Sequence, residues 1–189
     1  MTSEIVAGTS QDPATRTPST TIAATAIAPD DPRLGAWRSF LHTHARLTRR
    51  LDEELQATHR LSLAEYDALL QLANAPGRRL RMSALADLVL LSRSGITRLV
   101  DRLEAAEMVT RSACTTDARG AEAALTAAGL DRLRAASATH LDGIRRLFLD
   151  VVAADDRVAM ERGLGRVLDN LGCPPVIVDP ACSTGTGEA

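Results

Sequence analysis

Between residues 34 and 171, most of the large apolar residues recur at intervals of three and four positions. This spacing places them on one face of an α-helix, so the pattern predicts a mainly helical chain. The first helix is predicted to begin at Asp31-Pro32, an aspartate cap followed by a proline in the first helical position, and to run to about residue 57. Its apolar face consists of Leu34, Trp37, Phe40, Leu41, Leu47, Leu51 and Leu55.

Further helices are marked by capping residues ahead of apolar runs. Ser62 and Glu65 form a capping box, S-x-x-E, which opens a second helix ending near Ala75-Pro76-Gly77. Ser83 is expected to cap a short third helix. Two later helices are predicted, one entered through Thr126-Ala-Ala-Gly129 and carrying apolar residues as far as Val152, and one near residues 156–171.

The stretch LSRSGITRLVDRLE, residues 91–104, combines a cap with a narrow apolar stripe. Ser92 is the predicted N-cap, and the apolar residues at i, i+3, i+4 and i+7 turn one face inward. That face is Ile96, Leu99, Val100 and Leu103, which leaves Arg93, Ser94, Thr97, Arg98 and Arg102 outside. Together with the short helix before it, this segment is typical of a helix-turn-helix whose second helix enters a DNA major groove.

The residues that follow predict a β-hairpin. Residues 108–114 form one strand, residues 115–120 a turn with Arg119 at its tip, and residues 121–125 a returning strand. Leu80, between two arginines, is enough for a strand of one or two residues. The returning strand contains Ala121, Ala123 and Ala124, which are weak strand formers. The predicted fold class is therefore mainly α with a small β-hairpin wing.

Charge and composition narrow the function classes without naming one. The net charge is −2, but residues 32–171 carry 21 arginines against 18 acidic residues, which is compatible with a nucleic-acid partner. No apolar run is long enough to span a bilayer and no signal peptide is recognisable, so we expect a cytoplasmic protein without a membrane partner. No phosphate loop or nucleophile motif is present, so we predict that the protein is not an enzyme.

The cysteines and histidines do not form a metal-binding or disulfide pattern. We therefore predict no metal site and no cofactor, with a zinc site across a dimer as the alternative. These residues are Cys114, Cys173 and Cys182, and His42, His44, His59 and His140.

The order of these motifs resembles one bacterial regulator family. LSRSGITRLVDRLE followed by MVTR, then DARG, then LTAAG is similar to the winged helix-turn-helix core of the MarR family, the multiple-antibiotic-resistance regulators. The close match covers about residues 80–130, and the element order extends it to about 34–171. The resemblance implies a homodimer in which terminal helices of both chains interlock and hold two winged units against double-stranded DNA, at a pseudo-palindromic operator.

On this basis the chain divides into five predicted segments, two of them tails too poor in apolar residues to order. They are a disordered N-terminal tail at 1–30, a dimerisation helix at 31–60, a winged helix-turn-helix domain at 61–128, C-terminal dimerisation helices at 129–172 and a disordered C-terminal tail at 173–189.

The predicted DNA-binding residues lie on the recognition helix and the wing. We expect Arg98 to read a guanine, with a phosphate contact or an internal ion pair as the alternative. Arg102 is expected either to clamp a phosphate or to pair with Asp101 or Glu104. By resemblance, Arg119 inserts into the minor groove, unless it is a solvated turn residue. The full set is Ser92, Arg93, Ser94, Thr97, Arg98, Arg102, Arg111, Asp117 and Arg119.

The resemblance also implies a repressor released from DNA by a small aromatic or phenolic ligand. The candidate pocket residues are Trp37, His44, Tyr66, Asp67 and Arg98, each of which has a purely structural interpretation in the core or on the surface. Two alternatives remain open. One is a thiol-responsive regulator acting through Cys114, and the other is a winged helix used only for protein contacts.

Overall fold

A computed structural model describes residues 27–113 and 121–172. The predicted disorder of the two tails therefore lies outside the described residues, except at 27–30. There, a turn is closed by a hydrogen bond from the amide of Asp31 to the carbonyl of Ala28. The predicted wing turn, with Cys114, Asp117 and Arg119, also lies outside the described residues.

The described chain is mainly helical and carries one small sheet. The three strands are antiparallel in the order β1-β3-β2, so that β3 is central. This architecture confirms the predicted winged helix-turn-helix. Its elements are α1 Leu34–His59, α2 Leu63–Asn74, β1 Arg79–Arg81, α3 Met82–Leu88, α4 Arg93–Ala105, β2 Val109–Ala113, β3 Ala121–Leu125, α5 Ala127–Ile144, continued by a π-helical segment Arg145–Leu149, and α6 Ala154–Asn170.

One predicted cap and two predicted helix ends are wrong. The carboxylate of Asp31 accepts the amide of Arg33 at 2.8 Å, but Pro32 and Arg33 form a turn, so α1 starts at Leu34 and not at Pro32. Ser83 does not cap α3, because that helix starts one residue before it, directly from the end of β1. Val152 lies in the turn after the π-helical segment instead of in a helix.

The chain divides into two compact units between residues 39 and 40. The described part of the first unit is residues 27–39, where Arg33 pairs with Asp31 at 2.6 Å and Trp37 is 55% exposed.

The second unit contains the core, which gathers leucines from five helices. Each fully buried leucine contributes about 1.5 to 3 kcal/mol by leaving water. Among the described residues, Tyr66 is the aromatic member of an otherwise aliphatic core. The largest fully buried side chains include Leu55, Leu61, Leu69, Leu72, Leu85, Ile96, Leu99, Leu103 and Leu133.

The alanine-rich strand β3 forms despite its weak strand propensity, because it lies between two other strands. Its residues pair with β1 on one side and with β2 on the other. Ala123 is fully buried at the centre of the sheet. The small side chain there belongs to the packing of the core, a tertiary requirement that overrides local propensity.

The turn of the helix-turn-helix holds a leucine in a conformation that suits glycine. The amide of Leu91 bonds to the carbonyl of Ala86 and that of Leu90 to Asp87, which is a Schellman motif with Leu90 in the left-handed position at φ 56°. The Leu90 side chain is 90% exposed and so gains little from burial. Packing among the described residues therefore does not offset the backbone strain in this turn.

We expect Leu90→Gly to raise the free energy of unfolding by about 1 kcal/mol, because glycine adopts positive φ without strain. Urea denaturation at fixed protein concentration measures the change. Asp87→Gly is the control, since this exposed residue lies inside α3 and glycine there should destabilise by a similar amount. A lower unfolding midpoint for Leu90→Gly would mean that the leucine packs against another molecule.

Candidate nucleic-acid interface

Helix α4 presents one face to the core and the other to solvent, as predicted. Ser92 caps the helix, since its hydroxyl accepts the amide of Gly95 at 3.1 Å. Ile96, Leu99, Val100 and Leu103 are all buried. The residues predicted to face outward are all exposed: Ser92, Arg93, Ser94, Thr97, Arg98 and Arg102.

The N-terminal half of this outer face offers unengaged cationic groups. Within the described ranges, the guanidinium groups of Arg93 and Arg98 form no ion pair and no hydrogen bond. The hydroxyl of Thr97 donates to the carbonyl of Arg93 at 2.8 Å, and the hydroxyls of Ser92 and Ser94 lie 3.2 Å apart. The face therefore carries two extended donors flanked by short hydroxyl side chains, which is a composition suited to base edges and phosphates.

Arg102 points to a different partner from the two that were predicted. Its Nε donates to Oε1 of Glu65 at 2.8 Å, and its Nη1 donates to the carbonyl of Arg98 at 3.3 Å. The predicted pairing with Asp101 or Glu104 is therefore wrong. The correct partner comes from the first turn of α2, 37 positions earlier in the chain.

The acidic residues of α4 pair instead with Arg111 on β2. Its Nη2 lies 2.7 Å from Oδ1 of Asp101 and donates to the carbonyl of Thr97 at 2.9 Å. Its backbone amide donates to Glu104 at 3.0 Å. The Arg111 side chain is only 26% exposed, so this guanidinium is committed to joining the wing strand to the recognition helix.

An open cleft of about 640 Å³ lies in the second unit, lined by α1, α2, the turn after α3, and α5. It brings together three of the five predicted ligand residues, His44, Tyr66 and Asp67. Arg98 is not among the lining residues. The remaining walls are Ala45, Thr48, Arg49, Asp52, Leu63, Ala64, Leu70, Val89, Leu90 and His140.

The polar groups of this cleft are partly buried. Burial raises the pKa of Asp67, against the smaller opposing effect of a hydrogen bond from the Gln71 amide at 3.2 Å. Burial lowers the pKa of His140, whose ring lies 4.5 Å from that of Tyr66. The hydroxyl of Tyr66 donates to Ser137 at 3.3 Å. Nδ1 of His140 is buried and has no hydrogen-bond partner in the part of the chain that the structure describes.

Sequence reasoning missed the roles of Glu65 and His140. Glu65 was recognised as part of a capping box, but its second oxygen also serves Arg102. No local signal identifies such a partner, because the spacing of two residues on different helices depends on the tertiary fold. His140 was treated as one of four scattered histidines, and only the packing of α5 beside α2 brings it to the cleft.

These features define a winged helix-turn-helix protein with a basic, solvent-facing recognition helix. The MarR family model matches residues 60–120. AbsC, a MarR family transcriptional regulator from Streptomyces coelicolor, is 32% identical over 78% of this chain and 99% of its own, with a TM-score of 0.70. The chain belongs to the MarR family of transcriptional regulators.

Two other solved structures are similar. Sco3205, a MarR family regulator from Streptomyces coelicolor solved in complex with DNA, is 29% identical over 81% of this chain and 94% of its own, with a TM-score of 0.69. A MarR family regulator from Silicibacter pomeroyi is 30% identical over 73% of this chain and 94% of its own, with a TM-score of 0.61. No curated protein sequence matches this chain.

The family assignment bears on two of the other predictions. These relatives are transcriptional regulators and not enzymes, which agrees with the prediction made for this chain. Among the helices of the described ranges, none combines the length and apolar character needed to cross a bilayer.

Proposed function

We propose that this protein is a dimeric, sequence-specific DNA-binding repressor that a small aromatic or phenolic ligand releases from its operator. The observation that carries the proposal is the outer face of α4, where Arg93 and Arg98 extend into solvent from a helix fixed on its opposite side by four buried apolar residues. An α-helix of this kind fits the major groove of B-DNA. Sco3205, a similar regulator, was solved with DNA bound.

Arg98 is the proposed base reader. Its guanidinium can donate two hydrogen bonds to O6 and N7 of a guanine, the commonest specific contact in the major groove. Ser92, Arg93, Ser94 and Thr97 are the proposed contacts to neighbouring bases and phosphates, because they share the exposed start of the same helix. Helix starts also favour phosphates through their free backbone amides.

The wing contributes further proposed contacts on the strength of the sequence alone. Arg119 is proposed to enter the minor groove, where A·T-rich tracts concentrate negative potential. Asp117 is proposed to orient the wing turn. Arg119→Ala should weaken binding to A·T-flanked sites more than to G·C-flanked sites, and equal losses at both would contradict this role.

A homodimer is proposed from the apolar residues left in solvent. Helix α6 has no buried residue within the single described chain, yet Val158, Leu164 and Val167 are exposed on it. We expect such a helix to be only marginally stable in a single chain, because most helical stability comes from packing an apolar face. Residues 31–60 and 129–172 are therefore the proposed dimerisation segments, and 61–128 the DNA-binding domain. Sedimentation equilibrium should give twice the chain mass.

The cleft beside α2 is the proposed ligand site. Its volume suits a small molecule, and His44, Tyr66 and Asp67 supply the polar and aromatic contacts. Benzoate, salicylate and phenol are suitable probes, and we expect at least one to raise the unfolding temperature and to weaken DNA binding. An unchanged unfolding temperature and unchanged DNA affinity with all three would contradict a site for this class of ligand.

Two alternatives make different predictions. A winged helix that binds only proteins should show no salt-dependent affinity for DNA. A thiol-responsive regulator would lose or gain DNA binding on treatment with peroxide, and Cys114→Ser would abolish that response.

The test of the leading proposal is a salt titration of DNA binding by the full chain. A site enriched from random DNA is labelled, and its affinity is measured by fluorescence anisotropy at several salt concentrations. Counterion release predicts a linear fall of log affinity with log salt, with a slope that reflects the number of phosphate contacts. Failure to enrich any sequence, or an affinity that salt does not change, would overturn the proposal.

A further inference from the structure

We infer that Glu65 is a positioning residue for DNA reading, which holds α4 and its reading arginine in place through Arg102. The inference rests on the proposed DNA-binding function and adds to it a residue that does not itself face the DNA-reading surface. It also gives Arg102 a different role from that of a base or phosphate contact.

The Glu65 carboxylate divides its two oxygens between two helices. Oε2 accepts the backbone amide of Ser62 at 3.0 Å, which completes the capping box of α2. Oε1 accepts Nε of Arg102 at 2.8 Å. The Glu65 side chain is 13% exposed, whereas that of Arg102 is 59% exposed, so the fixed partner is the carboxylate.

The contact continues from Arg102 to the reading arginine. Nη1 of Arg102 donates to the backbone carbonyl of Arg98, one turn earlier on α4. The chain of contacts therefore runs from the start of α2, through one guanidinium, to the backbone that carries the proposed base reader. A displacement of the Arg102 side chain would therefore remove a hydrogen bond from the backbone of Arg98.

A second set of contacts holds α4 from β2. Arg111 bonds to the carbonyl of Thr97 and pairs with Asp101. Helix α4 is thus held from outside by Arg111 at residues 97 and 101 and by Glu65 at residue 102. Arg93 and Arg98, whose guanidinium groups form no ion pair with another described residue, lie on the helix that these contacts hold.

Electrostatics keep the Glu65 carboxylate ionised at neutral pH. Burial alone would raise its pKa, but hydrogen bonds from Ser62 and Arg102 outweigh that effect and lower it below the usual value. The ionised form is the one that accepts from both partners at once. The Arg102 side of this ion pair is exposed to solvent, which limits the contribution of the pair to stability and leaves a role in geometry as its main effect.

Glu65→Gln separates the two roles of the carboxylate. Glutamine can occupy the same position in a capping box, so α2 keeps its cap, while the charge that holds Arg102 is lost. We expect an unchanged urea midpoint, an affinity for the enriched site about tenfold lower, and an affinity for random DNA that is not reduced. The ratio of specific to non-specific affinity therefore falls.

Glu53→Gln is the matched control for charge. It also makes the protein one unit more positive, and Glu53 pairs only with arginines of its own helix among the described contacts. Added positive charge alone should raise both affinities together and leave their ratio unchanged. A lower ratio in Glu65→Gln but not in Glu53→Gln isolates the effect of position from that of charge.

A double-mutant cycle identifies Arg102 as the intermediary. If Glu65 acts through Arg102, Glu65→Gln should cost almost nothing further in a protein that already carries Arg102→Gln. Additive losses in the double variant would overturn the inference, as would an unchanged specificity ratio in Glu65→Gln. In both cases the wild-type protein would still bind its site, so the proposed function would stand. A wild-type protein that binds no DNA overturns both.

Discussion

Gly129→Ala is expected to destabilise the protein by about 3 kcal/mol, because no room exists for one additional carbon. A Cβ at this position would lie 2.1 Å from the carbonyl oxygen of Met108 and 2.8 Å from a methyl carbon of Leu125. The Met108 carbonyl is constrained, since it accepts the amide of Thr126 at 3.1 Å. This hydrogen bond joins the turn after α4 to the start of α5, and we call it the junction. The two segments cannot move apart without breaking it.

The junction also explains the size of the effect. Thr126 caps α5 by accepting the amide of Gly129 at 2.9 Å, and its hydroxyl donates to the carbonyl of Glu107 at 2.8 Å. A shift of Gly129 therefore disturbs the cap and the turn after the recognition helix together. Loss of a cap alone costs about 1 kcal/mol, and the steric overlap adds to it.

Urea denaturation of the wild type and the variant, at equal protein concentration, measures this prediction. Gly165→Ala is the control, because a Cβ there meets no atom within 4 Å and the residue lies within α6. Alanine should stabilise that helix by up to about 1 kcal/mol. A Gly129→Ala protein as stable as the wild type would mean that the junction can open, contrary to the packing described.

The sequence predicts those parts of the fold whose physics is local. The caps at Ser62, Ser92 and Thr126 each depend on a hydroxyl and an amide three residues away, and all three are present. The buried stripe of α4 follows from helical spacing in the same way. The cap assigned to Ser83 is wrong because β1 passes directly into α3, so that a pairing between distant strands sets the start of that helix.

The electrostatic partners within the site cannot be predicted in this way. Arg102 has two acidic neighbours on its own helix, Asp101 and Glu104, but residues one and two positions apart do not face each other on a helix. The fold instead places Glu65 beside Arg102 and gives Asp101 to Arg111. Which arginine remains available for DNA is therefore a property of the tertiary structure, since the sequence alone places Arg98, Arg102 and Arg111 together among the predicted DNA contacts.

Arg98→Ala is expected to cost about 1 to 3 kcal/mol of binding free energy at the enriched site, a loss of roughly 5- to 150-fold in affinity. The reason is that this guanidinium is exposed on the reading face and has no internal partner among the described residues. Its removal takes away a bidentate contact and leaves the fold intact. Preference at one base pair in each half-site should relax as well.

Competition binding with each single-base variant of the site measures both effects. Arg134→Ala is the control for charge, since this exposed arginine lies on α5 and pairs only weakly with Asp131 at 3.4 Å. We expect it to lower affinity slightly and equally for every site. An Arg98→Ala protein whose losses are equally uniform would show that Arg98 contacts a phosphate and not a base.

We expect two copies of α4 to lie in successive major grooves, with their arginine face towards the bases. Methylation protection by dimethyl sulfate tests it directly, because the reagent attacks guanine N7, which only the major groove exposes. We predict two protected guanine clusters related by two-fold symmetry and separated by about one helical turn, roughly 10 base pairs. Bound DNA whose guanine N7 atoms all remain reactive would contradict the account.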